Sequence, residues 1–341
     1  MAETRRVAIV TGAAGGIGRA MTRGLLAAGI RVAGVDRDRE PLEALAASAR
    51  EQDKADDLLT IQTDLTNDSA AEEITKATRG RFGRIDILVN NAGIGPGAIR
   101  PDSWQRPLKF WEITPDQWRR FVAVHTTAPF ALTNALVPEM MRQGWGRIVN
   151  VTTSLGTMLN AGNPTYGPSK AALEALSAIM AKDLDGTGVT VNVLVPGGIT
   201  NTPMVSDEAG FERAQMIQPE VMAPPLVWLV SDAAERITGR RFLAVHWDTK
   251  LPPKEAAEKA GAPVAGHGEG NPQRMPCTGT ATRAGSSVGS LSALAEDLRS
   301  IAGRSRQRFR SCRCGTLPCS CPRWPAMVDL RLVSIFKTSR V

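Results

Sequence analysis

The chain has 341 residues, 43% of them hydrophobic and 22% charged, with a formal net charge of +7. This composition favours a soluble globular protein with a buried core over a disordered chain or a membrane-spanning protein. The N-terminal sequence MAETRRVAIVTG passes directly from charged residues into a short apolar run, without the apolar region of a secretory signal. No later segment approaches the ~20 apolar residues of a membrane span. We therefore expect a cytoplasmic protein with no membrane partner.

Short β-branched runs alternate with longer segments of helical period over most of the chain. The alternation predicts a single α/β domain with a doubly wound parallel sheet of Rossmann type. We predict seven strands, over residues 7–11, 31–36, 58–64, 85–90, 146–152, 189–195 and 241–246. We predict helices over residues 16–29, 39–52, 67–82, 115–144, 166–184 and 219–234, and residues 251–266 could hold one further short helix.

A glycine-rich loop, TGAAGGIG over Thr11 to Gly18, links the first predicted strand to the first predicted helix. Glycines let the backbone turn sharply and approach a pyrophosphate, whose charge the free N–H groups at the helix N-terminus can meet. A tight turn with close helix packing would use the same residues. Taken alone, the loop is weak support for dinucleotide binding.

Asp36 ends the second predicted strand, where a carboxylate can accept hydrogen bonds from an adenosine ribose and repel a 2′-phosphate. Its alternative role is to cap the next helix. Gly15 adds no basic side chain to the loop, which also favours NAD. Arg37 could pair with a phosphate and keeps NADP open.

Tyr166 precedes Lys170 by four residues at the start of a predicted helix, so both project from one face. An ammonium beside a phenol lowers the pKa of the phenol from its usual ~10, toward the range where it can exchange a proton with an alcohol or ketone. A bare pair at this spacing is also common on solvated helix surfaces.

Six motifs in this order and spacing resemble the short-chain dehydrogenase/reductase family over about residues 5 to 250. They are TGxxxGxG, the acid after the second strand, NNAG at 90–93, a hydroxyl run after the fifth strand, YxxxK, and Pro-Gly at 196–197. The resemblance implies a nicotinamide cofactor and hydride transfer to or from a carbonyl or alcohol carbon.

The resemblance also implies roles for residues that match the motifs. Asp64 and Leu65 would flank the adenine, Lys170 would hold the nicotinamide ribose, and Ile199 with Thr202 would lie near the carboxamide. The full implied cofactor set is Gly12, Gly16, Ile17, Gly18, Asp36, Asp64, Leu65, Asn91, Ala92, Gly93, Tyr166, Lys170, Ile199 and Thr202.

Two positions depart from the family pattern. Thr153, followed by Ser154, stands where the family usually has the serine that hydrogen-bonds the reacting oxygen, and it keeps the hydroxyl while narrowing the site. His125 stands where the family has an asparagine whose backbone carbonyl supports a water leading to the lysine. A histidine could serve there through its main chain, or it could simply be packed in the helix.

We therefore expect an NAD-dependent secondary alcohol dehydrogenase or ketone reductase with Tyr166, Lys170, Thr153 and His125 as catalytic residues. A β-ketoacyl thioester reductase and a sugar or polyol dehydrogenase are the alternatives within the family. A dinucleotide-binding sensor without turnover is the alternative from another class. The resemblance favours a homodimer or homotetramer, and the tryptophan-rich segment 94–118 could shape an apolar pocket or a subunit contact.

The C-terminal segment differs from the rest of the chain. Residues 267–341 contain 12 Lys and Arg against 4 Asp and Glu, which leaves 29 and 30 before them. This segment also holds all five cysteines. We predict a cysteine-free catalytic domain over 1–266, suited to a reducing compartment, and a basic, largely disordered tail over 267–341.

The two Cys-x-Cys pairs of the tail lack the usual spacing of structural zinc sites, so we expect no metal. Nucleic acid is expected to bind the tail at most non-specifically. A zinc- or nucleic-acid-binding protein is the third alternative.

Overall fold

The computed structural model describes residues 5–266. Its centre is one sheet of eight strands in the order β3-β2-β1-β4-β5-β6-β7-β8, in which the first seven are parallel and β8 pairs antiparallel with β7. The strands are β1 Val7–Thr11, β2 Arg31–Asp36, β3 Leu58–Gln62, β4 Ile87–Asn90, β5 Gly146–Val151, β6 Val189–Val195, β7 Arg240–Leu243 and β8 Gly261–Pro263. The predicted doubly wound α/β fold is confirmed.

Helices cover both faces of this sheet. The α-helices are α1 Gly16–Ala27, α2 Arg39–Glu51, α3 Ala70–Phe82, α4 Pro115–Val122, α5 Ala128–Gln143, α6 Leu155–Leu159, α7 Tyr166–Asp183, α8 Ala223–Leu229 and α9 Pro253–Ala260. Short 3-10 helices occupy Ala55–Asp57, Pro96–Ala98, Phe110–Glu112, Asp207–Ala209, Arg213–Gln215, Pro219–Met222, Asp232–Ala234, Ala244–His246 and Val264–Gly266. No helix among residues 5–266 is long and apolar enough to cross a membrane.

The central strands are mostly apolar and buried along their whole length because helices cover both of their faces. Every residue of β1, β4, β5 and β6 is buried. Successive side chains point to opposite faces, so Val10 joins the core beneath α1 and α8, whereas Ile9 joins the core beneath α3 and α5. Each fully buried aliphatic side chain of this size contributes about 1.5–3 kcal/mol to stability. The two apolar cores fix the sheet between its helical layers.

The long helix predicted over 115–144 is interrupted. A π-helical segment, Ala123–Thr127, separates α4 from α5. Pro129 explains part of the irregularity, since it has no N–H to donate to the carbonyl of His125, its partner in a regular α-helix. The interruption therefore falls at the position that departs from the family pattern.

Besides α6, which was not predicted, other differences from the predicted elements lie near the C-terminus of the domain. The strand β8 was not predicted, because its three residues, Gly-Ala-Pro, lack any apolar alternation. The helix predicted over 219–234 is confined to α8 and flanking 3-10 turns. The short helix expected within 251–266 is present as α9. The predicted tail, 267–341, lies outside the described residues, and the domain division at 266 stays a prediction.

Candidate active site

The glycine loop between β1 and α1 needs its glycines. Gly12 has a φ of +62°, and a Cβ on Gly18 would lie 1.9 Å from the carbonyl oxygen of Gly12. The N-cap of α1, Gly15, is extended, and no side chain caps the helix. The first amides and the positive dipole end of a twelve-residue helix are therefore open to an anion. The loop fits the pyrophosphate of a dinucleotide.

Two neighbouring segments hold this loop in place. The Asn91 side chain donates hydrogen bonds to the carbonyls of Thr11, at 2.9 Å, and Gly12, at 3.1 Å. The hydroxyl of Thr11 accepts from the amides of Asn91 and Ala92. Thr202 packs so closely on Gly16 that a Cβ there would lie 2.8 Å from its methyl group.

The carboxylate of Asp36 turns toward the glycine loop. Its Oδ2 accepts a hydrogen bond from the amide of Ala14 at 3.1 Å, and its Oδ1 accepts from the amide of Arg37 at 2.8 Å. The Arg37 guanidinium instead pairs with Asp38, at 3.3 Å. The acid therefore lies against the glycine loop, while the neighbouring arginine pairs with a different carboxylate.

The remaining residues expected near the cofactor lie at the same edge of the sheet. Asp64 follows β3, and its carboxylate accepts hydrogen bonds from the amide and hydroxyl of Thr66, which lowers its pKa. Leu65 packs on the apolar core. Ile17 is partly buried at the start of α1, and Ile199 is 38% exposed beyond β6.

One face of α7 carries polar residues at helical spacing that meet the end of β5. Lys170 is buried, and its Nζ donates to the carbonyl of Val151 at 2.9 Å. One turn earlier, the side chain of Thr153 lies close enough to the hydroxyl of Tyr166 to lower its pKa. Gly93 leaves room for the ring of His125, since a Cβ on it would lie 3.2 Å from Nε2 of that histidine. The structure thus brings Tyr166, Lys170 and Thr153 together where α7 meets the end of β5.

Burial sets the protonation of this pair. It lowers the pKa of Lys170 to about 8. It also raises the pKa of Tyr166, and the hydrogen bond with Thr153 opposes that rise. We expected Lys170 to lower the pKa of Tyr166. That expectation is wrong for the protein without cofactor, because desolvation of the buried phenol is the largest effect and raises its pKa.

Of the three hydroxyls in the VTTS run, those of Thr153 and Ser154 have different surroundings. Ser154 caps α6: its Oγ accepts from the amide of Thr157 at 3.1 Å and lies 2.7 Å from the hydroxyl of Thr157. The side chain of Thr153 instead acts on Tyr166, whose pKa it lowers. The geometry therefore favours Thr153 as the hydroxyl that faces a substrate oxygen.

His125 is fully buried in the π-helical segment, and both ring nitrogens have partners. Its Nε2 accepts a hydrogen bond from the amide of Ile94 at 3.0 Å, so Nδ1 carries the proton and donates to the Oγ of Ser169 at 2.8 Å. Ser169 in turn donates to the carbonyl of Tyr166. Burial and the nearby charge of Lys170 hold the pKa of His125 well below its usual value, so the ring is neutral.

Sequence reasoning missed several polar residues behind the site. Glu174 and Arg241 form a buried ion pair, and Ser169 connects His125 to Tyr166. Glu174 could have been found from its position one turn after Lys170 on the polar face. Nothing in the strand sequence RRFL indicates that Arg241 points inward. Among residues 5–266, no group of three or more His, Cys, Asp or Glu could hold a metal ion, and the tail cysteines lie outside this range.

Comparison with known proteins agrees with this arrangement. The family model described as short chain dehydrogenase matches residues 6–212. The chain belongs to the short-chain dehydrogenase family. It is 33% identical to a 3-oxoacyl-[acyl-carrier-protein] reductase of Synechocystis sp., with 71% of this chain and 96% of the relative covered. It is 32% identical to the rhamnolipid biosynthesis 3-oxoacyl-[acyl-carrier-protein] reductase of Pseudomonas aeruginosa, with 69% and 92% covered.

A solved structure of the same family has the same fold. It is described as an NAD(P) dependent gluconate 5-dehydrogenase from Beutenbergia cavernae with bound NADP. It is 29% identical, with a TM-score of 0.60, and the alignment covers 70% of this chain and 94% of that one. As a short-chain dehydrogenase, the protein is an NAD(P)-dependent oxidoreductase that acts on alcohol or keto groups.

Proposed function

We propose that the protein is an NAD-dependent secondary alcohol dehydrogenase or ketone reductase. The observation that carries this proposal is the polar face of α7, which sets Tyr166 beside Thr153 and buries Lys170 one turn further on. Bound at the glycine loop, the nicotinamide cofactor supplies or accepts the hydride. The chain's own residues then have to handle the proton and position the substrate oxygen.

In the proposed mechanism, Tyr166 gives a proton to the substrate oxygen during reduction and takes it back during oxidation. The Thr153 hydroxyl hydrogen-bonds the same oxygen and fixes it next to the phenol. Lys170 would hold the nicotinamide ribose from one turn further along α7. Because burial lowers the pKa of Lys170 to about 8, the lysine can lose its own proton at moderately alkaline pH.

We assign His125 a positioning role through two features. Its neutral ring fixes the amide of Ile94 and, through Ser169, the first turn of α7. Its carbonyl has lost its regular helical donor because Pro129 has no N–H. That carbonyl can therefore accept from a water that leads to Lys170. His125→Asn should keep most activity, whereas His125→Leu should lose it; equal kcat in the two variants would remove the role.

We propose that NAD is preferred over NADP. The Asp36 carboxylate faces the expected position of the ribose 2′-oxygen, where it would repel a phosphate, and Arg37 is paired with Asp38. The alternative, NADP, requires Arg37 to leave Asp38 and Asp36 to turn away.

The proposed substrate is an apolar ketone or the matching secondary alcohol. Large apolar side chains are exposed on the segments that adjoin Thr153 and Tyr166. These side chains belong to the 94–118 segment, α6 and the loop after β6: Trp104, Phe110, Trp111, Leu155, Leu159, Met204 and Phe211. The rings of Trp104 and Phe211 meet edge to face at 5.1 Å, so two of the segments contact each other.

A β-ketoacyl thioester is the second candidate substrate, favoured by the apolar rim and by the names of the relatives. A sugar or polyol would leave this rim without polar partners for its hydroxyls. Reduction of ethyl acetoacetate, acetoacetyl-coenzyme A and 5-keto-gluconate, each with NADH and NADPH, separates these substrates. Fastest turnover of the keto acid would overturn the apolar assignment. Tight NADH binding without turnover of any probe would favour the sensor alternative.

We further propose a homodimer or homotetramer in the cytoplasm. Exposed apolar side chains on α5 and α7, namely Phe130, Met141 and Ile179, support a contact between copies of the chain. Light scattering of the purified protein tests the assembly, and a monomer at micromolar concentration would contradict it.

A further inference from the structure

A buried ion pair lies behind the proposed catalytic hydroxyl. The Nε of Arg241, on β7, donates to Oε1 of Glu174, on α7, at 2.9 Å. The side chains are 6% and 3% exposed, so water hardly reaches either charge. The pair joins α7 to β7.

Both members of the pair also bind the backbone or side chains next to the site. The second nitrogen of the fork, Nη2 of Arg241, donates to the carbonyl of Thr153 at 2.9 Å. Oε2 of Glu174 accepts from the hydroxyl of Thr152 at 2.7 Å, and Oε1 also accepts from the amide of Ala265 at 3.3 Å. The two consecutive threonines after β5 are therefore each held by one member of the ion pair.

Stability alone does not explain why this position has a buried ion pair. Desolvating two charges offsets much of their attraction, and apolar residues of similar volume often stabilise a buried site equally well. What apolar residues could not do is donate to the carbonyl of Thr153 or accept from the hydroxyl of Thr152. The planar fork of arginine reaches two acceptors at a fixed separation, which ties the Thr153 backbone to α7.

Helix α7 carries the other half of the site. Tyr166, Lys170 and Glu174 follow one another at intervals of four residues, so they lie along one face of the helix. Arg241 links the backbone of Thr153 to Glu174, which follows Tyr166 by two turns of the same helix. The position of Thr153 is therefore fixed relative to Tyr166. A shift of Thr153 by about 1 Å is enough to reduce a rate by roughly a hundredfold when reacting groups must be aligned.

We propose that Glu174 and Arg241 are positioning residues that hold Thr153 in register with Tyr166, so that the hydroxyl and the phenol meet the same substrate oxygen. The inference rests on the proposed roles of those two residues. What is new is that the ion pair of Glu174 and Arg241, which lies behind Thr153, keeps Thr153 and Tyr166 aligned.

The test uses variants that separate positioning from folding. Glu174→Gln alone leaves the guanidinium of Arg241 buried without its counter-charge, which strongly destabilises a fold. The double variant Glu174→Leu with Arg241→Met removes both charges and keeps an apolar filling. Ser177→Ala is the matched control, because Ser177 lies on the same face of α7 and binds the Asn150 side chain on β5 without touching Thr152 or Thr153.

The first measurement needs no substrate. Tyr166 is the only tyrosine of the full chain, so protein labelled at tyrosine Cζ gives one resonance, whose pH titration reports this phenol alone. Since the hydrogen bond with Thr153 lowers the pKa of Tyr166, a displaced Thr153 should raise it. We expect the double variant to titrate at higher pH than the wild type and Ser177→Ala to titrate with the wild type.

The second measurement is turnover of ethyl acetoacetate with NADH. We expect the double variant to lose roughly tenfold or more in kcat, with the Kd for NADH nearly unchanged. A double variant that folds and keeps both the wild-type titration and the wild-type kcat would overturn the proposal, as would an equal shift in Ser177→Ala. If no probe is turned over but the titration shifts as described, the proposed reaction fails while the positioning role stands.

Discussion

The Nζ of Lys170 donates a hydrogen bond to the carbonyl oxygen of Val151 at 2.9 Å, at the point where β5 ends. Lys170 is only 3% exposed, so its buried ammonium is held against the last residue of a central strand. The hydrogen bond fixes the position of this cation. Burial of the charged lysine also destabilises the folded state.

The pH dependence of stability should show how much the buried charge of Lys170 destabilises the fold. The pKa of Lys170 is about 8 in the folded protein and that of an unfolded lysine is about 10.4, so between these values the unfolded chain binds more protons. The free energy of unfolding should rise with pH across this window, by roughly 3 kcal/mol in all from this group. Urea unfolding of wild type and Lys170→Met across the window checks it, and equal pH slopes would contradict it. The variant should also bind the cofactor less well and turn over more slowly.

The hydroxyl at position 153 is predicted to be essential, whereas its methyl group is not. Thr153→Ser should retain activity, and Thr153→Ala should lose it, because only the first keeps a donor beside Tyr166. Ser154→Ala is the control, since the hydroxyl of Ser154 caps α6. Steady-state kinetics of the three variants decides the matter. Equal activity of Thr153→Ser and Thr153→Ala would show that another group binds the substrate oxygen.

Cofactor preference is predicted to depend on Asp36. Asp36→Ser removes the like-charge penalty toward a 2′-phosphate, so the Kd for NADPH should fall while that for NADH rises. The change is expected to be worth several kcal/mol at most, because the acid is partly solvated. Fluorescence titration of both cofactors measures it. Tighter NADPH binding by the wild type would mean that Arg37, and not Asp36, controls the choice.

Much of the fold could be predicted because its signals are local. The central strands are mostly apolar runs, and a glycine-rich turn follows the first of them. Thr153, Tyr166 and Lys170 were assigned through the resemblance to the family, and their catalytic roles stay a prediction. The short elements β8 and α6 were missed because three to five residues carry no periodicity.

The electrostatics of the site depended on tertiary contacts and could not be predicted. Glu174 and Arg241 are 67 residues apart in sequence, and only the packing of α7 against β7 shows that they meet. The sequence suggested that Lys170 lowers the pKa of Tyr166, because the four-residue spacing shows that the two residues are close. It does not show that the side chains are buried. Likewise, the tautomer of His125 follows from the amide of Ile94, which is distant in the chain.

The tail is predicted to be dispensable for the reaction, although it lies outside the described residues. Cutting the chain after Gly266 should leave the melting temperature and specific activity almost unaltered, because the proposed site residues precede the cut. A cut after Gly261 is the informative contrast, since it removes the Ala265 amide from Glu174 and Val264 from its apolar contacts with β6. Thermal unfolding and kcat of both truncations test this. A shorter chain that fails to fold after the first cut would contradict the division at 266.

The full-length protein should also bind polyanions weakly through the tail's surplus of basic residues. Retention on heparin should decline steeply with salt and be lost after the cut at Gly266.

The most direct test of the account is hydride transfer by Tyr166→Phe. Single-turnover oxidation of NADH by ethyl acetoacetate reports the chemical step, and fluorescence titration of NADH in the same variant reports cofactor binding. Because the substitution deletes only the hydroxyl, we predict that hydride transfer falls by roughly a hundredfold or more while the Kd for NADH stays nearly unchanged. A fall of less than about tenfold would contradict the assignment, since the proton would then come from another group.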